Sequence, residues 1–337
     1  MPMQIGIAGA GLLGRLLAWK LASAGHAVHV YDPAPGPGPH SECAAFTAAG
    51  LLNPIAELDC GAAQIAALGW RSLALWREWL PELPSRIAFS DHGSLLLAHS
   101  ADRASAQRTL ARLTALASDQ PPEPLSGPTL HTLQPGLAPD LLGWLLPGEG
   151  QIHTHQAMAA LHAAGSQAGV HWHWNLRVKT VAPGFLDERR FDHVFDVRGV
   201  GAREALPVRG VRGEVLWLYA PGLCLPRPLR LLHPRHRVYV VPRPDDIVVV
   251  GASEIESEDR SPVSVRTVLE LLSAAYSMIP ALAEARLLHS ETNLRPALPD
   301  NLPLVSQQPG LSRINGLFRH GWLIAPALVE QVLDFAS

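Results

Sequence analysis

The sequence predicts an α/β protein in which a parallel sheet starts at the N-terminus and an antiparallel sheet is inserted further along the chain. Three observations support this class. The first 32 residues alternate strand, glycine-rich turn, helix and strand, the middle of the chain contains many short β-branched runs, and a strand and a helix return at the end. Insertion of an antiparallel sheet into an open parallel one produces this order.

The N-terminal unit follows from local patterns. Residues 4–8 form a short apolar run typical of a buried strand, and an Ala/Leu-rich helix follows over 12–24. Gly25 suits the position just after the helix, where the backbone turns with positive φ. Residues 26–31 form a second strand, and the proline-rich segment 33–39 is a loop. Strand, helix and strand in this order require a parallel sheet.

The remaining elements follow from periodicity and from Gly and Pro residues. Helices are predicted at 64–80, 101–117, 156–165, 263–278 and 323–335, the last interrupted early by Pro326. Strands are predicted at 89–98, 143–146, 151–154, 170–181, 191–197, 208–219, 238–241, 247–251 and 287–293, and 120–128 is a surface connection. Trp70, Trp76 and Trp79 lie on the first of these helices and are expected to pack in the core.

Composition and charge exclude several classes of protein. With 47% hydrophobic and 17% charged residues, the 337-residue chain is not generally disordered and suffices for two domains. A net charge of −3 argues against a polybasic nucleic-acid binder. Cys43, Cys60 and Cys224 are too few for a disulfide framework. Without a signal peptide or a membrane-spanning apolar stretch, we expect a soluble cytoplasmic protein with no nucleic-acid partner and no stable membrane association.

Two other features of the sequence have the residue types of a functional site. The pairs His153/His155 and His171/His173 would each share one face of a strand, but no third ligand lies at a telling spacing. No metal site is therefore predicted. The charged run at 254–260 is predicted to be a solvated loop or a lid.

A nucleotide-binding motif lies between the first strand and the first helix. Residues 9–14 read G-A-G-L-L-G, with Gly9 for a tight turn, Gly11 for close approach of a pyrophosphate, and Gly14 for helix–strand packing. The helix N-terminus then offers N–H groups to the phosphates. Asp32 ends the second strand, where a carboxylate binds ribose hydroxyls. The motif predicts dinucleotide binding but leaves FAD and NAD both open.

Five later segments carry a family resemblance. They are T-A-A-G-L-L-N-P at 47–54, V-R-G-V-R-G-E at 208–214, Y-V-V-P-R-P at 239–244 with V-V-G-A-S at 249–253, N-L-R-P at 293–296 with P-D-N-L-P at 299–303, and F-R-H-G-W-L-I-A-P at 318–326. In this order they resemble flavin amine oxidases of the D-amino-acid oxidase superfamily. The segment D-V-R-G-V-G-A at 196–202 departs from the family's small-residue pattern, and Asn293 replaces a usual glycine.

The resemblance implies a fold and an activity. The fold is a Rossmann-type FAD-binding domain with an inserted antiparallel β-sheet substrate domain, residues 1–85, 145–205 and 286–337 forming the first and 86–144 and 206–285 the second. The activity is FAD-dependent oxidation of glycine, extending to sarcosine or small D-amino acids, with O2 reduced to H2O2. The imine would supply the thiazole moiety of thiamine. A homo-oligomer and a functional link to thiazole synthase are also implied.

The resemblance also implies site residues. Arg295 would clamp the substrate carboxylate with its planar fork, Tyr239 would donate its hydroxyl to the same group, and Arg319 would lie near the substrate or the flavin. The alternative interpretations are a surface arginine for Arg295 and a strand-core tyrosine for Tyr239. The predicted FAD contacts are Gly9, Gly11, Leu12, Leu13, Gly14, Asp32, Ala48, Ala49, Gly50, Leu51, Val178, Gly199, Arg295, His320, Gly321, Trp322, Leu323 and Ile324.

Several alternative functions are open at this point, and the first of them shares the same scaffold. A quinone-linked D-amino-acid dehydrogenase would react poorly with O2, and the FAD oxidase component of a tRNA-modifying enzyme would present a basic RNA surface. A nicotinamide dehydrogenase would lack the closing flavin-type motif. A non-catalytic FAD scaffold would hold flavin that no amine reduces.

Overall fold

The computed structural model describes residues 1–39, 42–60, 63–117, 119–233 and 237–333. Its α-helices, α1 to α9 in chain order, are Leu12–Ser23, Ala44–Thr47, Pro54–Glu57, Ala63–Trp79, Arg103–Leu116, Gly127–Leu133, Thr154–Gln167, Val265–Met278 and Gly321–Leu333. Its strands, β1 to β20, are Gln4–Ala8, Ala27–Tyr31, Leu51–Leu52, Phe89–Ser90, Ser94–His99, Glu123–Leu125, Leu141–Leu146, Gly150–Ile152, His171–His173, Val181–Ala182, Phe185–Leu186, Arg189–Arg190, His193–Asp196, Arg209–Tyr219, Leu229–Leu232, Arg237–Pro242, Ile247–Gly251, Arg286–Ala297, Leu304–Gln308 and Leu311–Asn315.

The first sheet contains six strands in the order β19-β20-β13-β1-β2-β9. β1 pairs in parallel with β2 and β13, so that Ala8 lies opposite both Tyr31 and Asp196. Helices α1, α4, α7 and α9 pack together beside this sheet through one large apolar core. The predicted N-terminal parallel unit is therefore confirmed.

The second sheet contains eight strands in the order β18-β14-β17-β16-β15-β5-β7-β6, and only β15 and β5 pair in parallel. One face packs on α8 through buried residues such as Leu216, Val240 and Leu271. Because side chains alternate along a strand, Tyr239 and Arg295 lie on the opposite face. The predicted antiparallel sheet is thus confirmed, and its second face is free to form a cavity wall.

Three predicted segments differ from the structure. The strand predicted at 89–98 divides into β4 and β5, which join different sheets, because Gly93 takes a φ of 90° between them. The strand predicted at 170–181 ends at His173, and Asn175 with a φ of 58° turns the chain away. The connection predicted at 120–128 contains β6, the edge strand of the eight-stranded sheet.

Helix α9 continues through Pro326 rather than being interrupted there. Proline cannot donate to the carbonyl four residues earlier, so the Trp322 carbonyl would lack a partner. That carbonyl accepts a hydrogen bond from Trp76 Nε1 at 3.1 Å, and the next N–H, of Ala327, donates to Ser72 Oγ at 3.1 Å. Side chains of α4 therefore replace the hydrogen bonds that the proline removes.

The tryptophans of α4 mostly behave as predicted. Trp76 is fully buried and Trp79 nearly so, whereas Trp70 is half-buried at the edge of the core. The division of the chain into two domains stays a prediction. In that division 286–337 belongs to the FAD-binding part, but β18 pairs along its length with β14 in the eight-stranded sheet.

Candidate active site

A cavity of about 1230 Å³ lies between the carboxyl ends of β1, β2 and β13 and the free face of the eight-stranded sheet. This volume exceeds the roughly 300–1,000 Å³ of most small-molecule sites. Most of the predicted site residues line it, namely Gly9, Gly11, Leu12, Leu13, Asp32, Ala48, Ala49, Gly50, Leu51, Val178, Gly199, Tyr239, Arg295, Arg319, Gly321 and Trp322. Segments far apart in sequence thus meet at one place.

Four of the predicted FAD contacts do not line the cavity. Gly14 lies beneath the glycine turn, and Leu323 and Ile324 are buried in the core that α9 shares with the six-stranded sheet. His320 is buried against a carboxylate instead. These residues support the cavity wall rather than form its surface.

The glycine turn has the geometry that phosphate binding requires. Gly9 has a φ of 108°, and a Cβ there would lie 2.7 Å from the Val197 carbonyl oxygen. A Cβ on Gly14 would lie 1.9 Å from the Gly9 carbonyl oxygen, so only glycine permits this contact. Gly11 precedes α1 without any side-chain cap, and the first N–H groups of α1 are therefore available to an anion.

Asp32 is held in place by the same turn. Its Oδ2 accepts a hydrogen bond from the Ala10 N–H at 2.7 Å, and its Oδ1 accepts one from the Ala34 N–H at 2.9 Å. Each carboxylate oxygen can accept a further hydrogen bond. The carboxylate therefore suits ribose hydroxyls, as the sequence predicts.

A buried arginine positions the small-residue segment. Arg243 donates from Nη2 to the Ala49 carbonyl oxygen and from Nη1 to Gln151 Oε1, the latter at 3.3 Å. Burial lowers the pKa of Arg243 to about 10, which leaves the side chain charged at neutral pH. A Cβ on Gly50 would lie 2.1 Å from the Ile152 carbonyl oxygen, so the chain packs here without space for a side chain.

The departure from the family pattern at Arg198 has a structural explanation. The Arg198 guanidinium donates from Nε and Nη2 to the two oxygens of the fully buried Asp196, both at 2.8 Å. Its Nη1 donates to the Val178 carbonyl oxygen at 3.1 Å. The arginine thus neutralises a buried carboxylate and links two cavity-lining segments. Together with the glycine turn and Asp32, the donors present fit an elongated dinucleotide such as FAD.

Arg295 and Tyr239 converge on the eight-stranded sheet over two glycines. A Cβ on Gly213 would lie 2.5 Å from Arg295 Cζ, and a Cβ on Gly251 would lie 2.6 Å from the Tyr239 hydroxyl oxygen. The guanidinium therefore lies on β14 and the hydroxyl on the adjacent β17. Arg295 also donates from Nη1 to the Arg212 carbonyl oxygen at 3.2 Å.

The protonation states of this pair suit an anion. Burial lowers the pKa of Arg295, an effect that Tyr239 and Glu254 oppose, and burial raises the pKa of Tyr239. Tyr239 is therefore a neutral hydrogen-bond donor at neutral pH, and the nearby Tyr239 and Glu254 favour the charged form of Arg295. A planar guanidinium beside a hydroxyl can bind a carboxylate through charge-assisted hydrogen bonds.

Arg319 is engaged by carboxylates. Its Nη2 donates to Glu57 Oε2 at 2.8 Å, and its Nη1 lies 3.6 Å from a Glu254 oxygen. His320 Nδ1 lies 3.4 Å from the same Glu57 oxygen, and burial lowers the pKa of His320 to about 4. Burial raises the pKa of Glu57, but His320, Arg319 and Arg230 together lower it by more than burial raises it. The net shift of the pKa is therefore downward. Arg319 is thus fixed at the cavity wall by a buried anion.

Sequence reasoning missed several residues of this site. Gly213, Gly251 and Arg243 fall inside the quoted family segments, so their presence was visible but their roles were not. Glu57 and Arg230 line the cavity, and Glu149 lies behind it. Nothing in the local sequence around these three predicts a site, because their partners are far away along the chain.

The fold and the cavity define a dinucleotide-dependent enzyme, and comparisons with known proteins specify its family. A family model described as FAD dependent oxidoreductase, abbreviated DAO, matches residues 4–333. The chain therefore belongs to the DAO family of FAD-dependent oxidoreductases, and its cofactor is FAD.

Individual relatives narrow the comparison from the family to particular enzymes. The chain is 36% identical to the putative thiamine biosynthesis oxidoreductase ThiO of Rhizobium etli, covering 98% of this chain and 95% of the relative. It is 28% identical to the bifunctional protein ThiO/ThiG of a Nostoc species, covering 99% of this chain but only 52% of that relative. The structure matches glycine oxidase of Geobacillus kaustophilus with a TM-score of 0.86, 25% identity, and coverage of 99% of this chain and 94% of that one.

We expect Gly213→Ala to impair substrate binding without unfolding the protein. The new Cβ meets the end of the Arg295 side chain, 2.5 Å away, and this flexible group can move aside. A displacement of about 1 Å at a binding group can cost about 100-fold in rate, so we expect kcat/KM to fall 10- to 100-fold, roughly. Steady-state kinetics and thermal melting check this. Gly127→Ala, with open space around the Cβ, is the matched control; a large loss of Tm in Gly213→Ala alone would contradict the expectation.

Glu149 makes stability depend on pH. It is fully buried and accepts hydrogen bonds from Ser94 Oγ at 2.6 Å and from the Ala56 N–H at 2.8 Å. Burial raises its pKa to about 7 from 4.5, although Arg230 and these hydrogen bonds lower it in part. The folded protein therefore retains a proton that the unfolded chain has lost. Stability falls as pH rises from about 4.5 to about 7, by about 3 kcal/mol in total.

We expect Glu149→Gln to remove this pH dependence. The glutamine amide can accept from Ala56 and donate to Ser94, as the protonated acid does. Denaturant unfolding between pH 5 and pH 8 measures the effect. The free energy of unfolding of the variant, relative to wild type, should increase with pH; a constant difference across this range would show that Glu149 does not titrate.

Proposed function

We propose that the chain oxidises glycine to its imine, with O2 reduced to H2O2. The observation that carries this proposal is the pairing of the Arg295 guanidinium with the Tyr239 hydroxyl over Gly213 and Gly251, inside the cavity that the FAD motif opens. The similarity to glycine oxidase and ThiO supports the same substrate. Sarcosine and small D-amino acids carry the same carboxylate and amine and belong to the proposed range.

The chain's own residues bind and orient the substrate. Arg295 and Tyr239 hold its carboxylate, and their burial strengthens these hydrogen bonds by excluding water. Fixing one end of a small substrate places its Cα and amine relative to the cofactor, which supplies much of the rate enhancement. When bound, FAD would supply the redox chemistry, as the acceptor of the two electrons that glycine loses with two protons, and O2 would be the final electron acceptor.

The remaining charged residues set the electrostatics. Glu57 holds Arg319 at the wall, so that a cation stays near the reacting region without competing for the substrate carboxylate. Gly321 and Trp322 begin α9, whose N-terminal dipole stabilises negative charge beside it. No side chain is assigned as a base, because the neutral amine can bind directly.

The similarity to ThiO also supports a place in thiamine biosynthesis. The imine would supply the thiazole moiety. The Nostoc relative is a bifunctional ThiO/ThiG protein, which supports a functional link between this chain and a thiazole synthase. We also propose that the protein forms a homo-oligomer.

Among the described residues, no helix is long and apolar enough to cross a membrane.

An anaerobic titration with glycine tests the function. The visible spectrum of the purified yellow protein should bleach, recover when air is readmitted, and yield H2O2. Recovery only with a quinone or dye would replace the oxidase by a dehydrogenase. A flavin that glycine leaves oxidised would overturn glycine as substrate, and sarcosine, D-amino acids and modified tRNA would then be tried.

A further inference from the structure

A second arginine faces the substrate side of the cavity. Arg230 on β15 lies directly opposite Tyr239 on β16, so both side chains are on the same face of the sheet. Leu96 of β5 is its neighbour on the other side. Both Arg230 and Arg295 act electrostatically on Tyr239. Two guanidinium groups therefore flank the tyrosine that we assign to the substrate carboxylate.

The Arg230 side chain lacks a committed partner in the described part of the chain. Its Nη1 is buried and makes no hydrogen bond there. The two carboxylates that feel its charge are engaged elsewhere, Glu57 with Arg319 at 2.8 Å and Glu149 with Ser94 at 2.6 Å. A buried polar group without a partner is costly. Arg230 also lines the cavity, so a small movement of its guanidinium would bring it to a ligand there and remove the cost.

We propose that Arg230 binds a second carboxylate of the substrate, so that the pocket accepts amino acids with two acidic groups. This inference rests on the proposed function, since it needs the first carboxylate on Arg295 and Tyr239. Glycine fills only that first position. A diacid would also satisfy the arginine that glycine leaves without a partner.

The spacing of the strands indicates how long the diacid is. Arg295 and Arg230 lie on β18 and β15, separated by β14, β17 and β16. Four spacings of about 4.8 Å separate their backbones by about 19 Å. The two long side chains extend toward each other and leave a shorter gap between the guanidinium groups. The two carboxylates of the ligand therefore have to be well separated. A chain of the length of glutamate fits this better than one of the length of aspartate.

Binding of two inert acids to the yellow holoenzyme tests the proposal without turnover. Glutarate and valerate share a five-carbon chain and differ by one carboxylate, and each perturbs the flavin spectrum when it binds beside the flavin. We expect wild type to bind glutarate at least about 10-fold more tightly than valerate, because of one charge-assisted pair. Arg230→Gln should abolish this preference, and Arg230→Lys should keep part of it.

Arg266→Gln is the matched control, because Arg266 also lines the cavity but lies on α8 with a mostly exposed side chain. It should keep the preference for glutarate. Equal affinity for both acids in wild type, or an unchanged preference in Arg230→Gln, would overturn the proposal. Equally weaker binding of both acids by Arg230→Gln, together with a lower Tm, would also overturn it. That result is expected if Arg230 only balances the charges of Glu149 and Glu57.

Turnover gives a second measure that separates this proposal from the proposed function. D-Glutamate and D-glutamine have the same shape, and the ratio of their kcat/KM values should fall at least 10-fold, roughly, in Arg230→Gln. If glycine fails to bleach the flavin while glutarate still binds through Arg230, the proposed function fails and the second carboxylate position stands. If glycine bleaches the flavin but the protein binds glutarate no more tightly than valerate, the proposed function stands and the second carboxylate position fails.

Discussion

Replacing Arg295 by alanine should lower kcat/KM for glycine by about two to three orders of magnitude while FAD stays bound. Truncating one partner of a buried, hydrogen-bonded charge pair costs about 2–5 kcal/mol. Each 1.4 kcal/mol, roughly, is a factor of ten in rate. The guanidinium makes a hydrogen bond to the backbone only at the Arg212 carbonyl oxygen among the described residues, so its loss disturbs little of the protein structure.

Two measurements distinguish this role from a structural one. Stopped-flow reduction under anaerobic conditions gives the Kd for glycine, which should rise sharply, and the flavin absorbance of the purified variant gives the FAD content, which should not change. Arg295→Lys retains the charge without the planar fork and should recover only part of the activity. Normal glycine turnover in Arg295→Ala would refute the assignment of this residue.

Gly14→Ala should yield a protein that does not retain FAD. The new Cβ would lie 1.9 Å from the Gly9 carbonyl oxygen, a backbone atom that cannot rotate away. The whole turn would have to move away from α1, displacing the N–H groups offered to the phosphates. We therefore expect a colourless and destabilised protein, seen as a low ratio of absorbance at 450 nm to that at 280 nm and a reduced Tm.

A pair of further variants separates folding from cofactor binding. At Gly11 the nearest atom to a new Cβ is Cys43 Sγ at 3.4 Å, an ordinary contact. Gly11→Ala should therefore keep the stability of the apoprotein but bind FAD weakly, because the methyl group lies where the pyrophosphate approaches. Gly36→Ala meets nothing within 4 Å and should behave as wild type. A yellow Gly14→Ala protein with normal Tm would contradict this account of the turn.

The parts of the fold that short-range patterns specify could be predicted from the sequence. β1, α1 and β2 depend on a period of apolar residues and on three glycines within the first 31 residues, and each lies within a residue or two of its predicted position. The prediction of one continuous strand at 89–98 is wrong, because the sheet that a strand joins depends on partners far away in the sequence. β4 pairs with β8 and β5 with β15 and β7, and the apolar pattern itself does not encode this choice.

The residues of the site also fall into those that the sequence could predict and those that it could not. Arg295 and Tyr239 could be proposed because they lie in recognisable segments, and the structure brings them to one place. Glu57 could not, because its role depends on Arg319, 262 residues further along the chain. Arg230 looks like any arginine in a strand, and only its position opposite Tyr239 and its buried Nη1 single it out.

The proline in α9 has a consequence for how the protein reaches its native state. Trp76 and Ser72 bind the backbone of α9 across 246 and 255 residues of intervening sequence. Contacts of such separation form slowly, because closing a long loop costs entropy before the contact repays it. The last helix makes these hydrogen bonds only when it packs on α4, and its first residues line the cavity wall. The ability to capture cofactor is therefore expected late in folding, once the residues of α9 have been synthesised and have packed on α4.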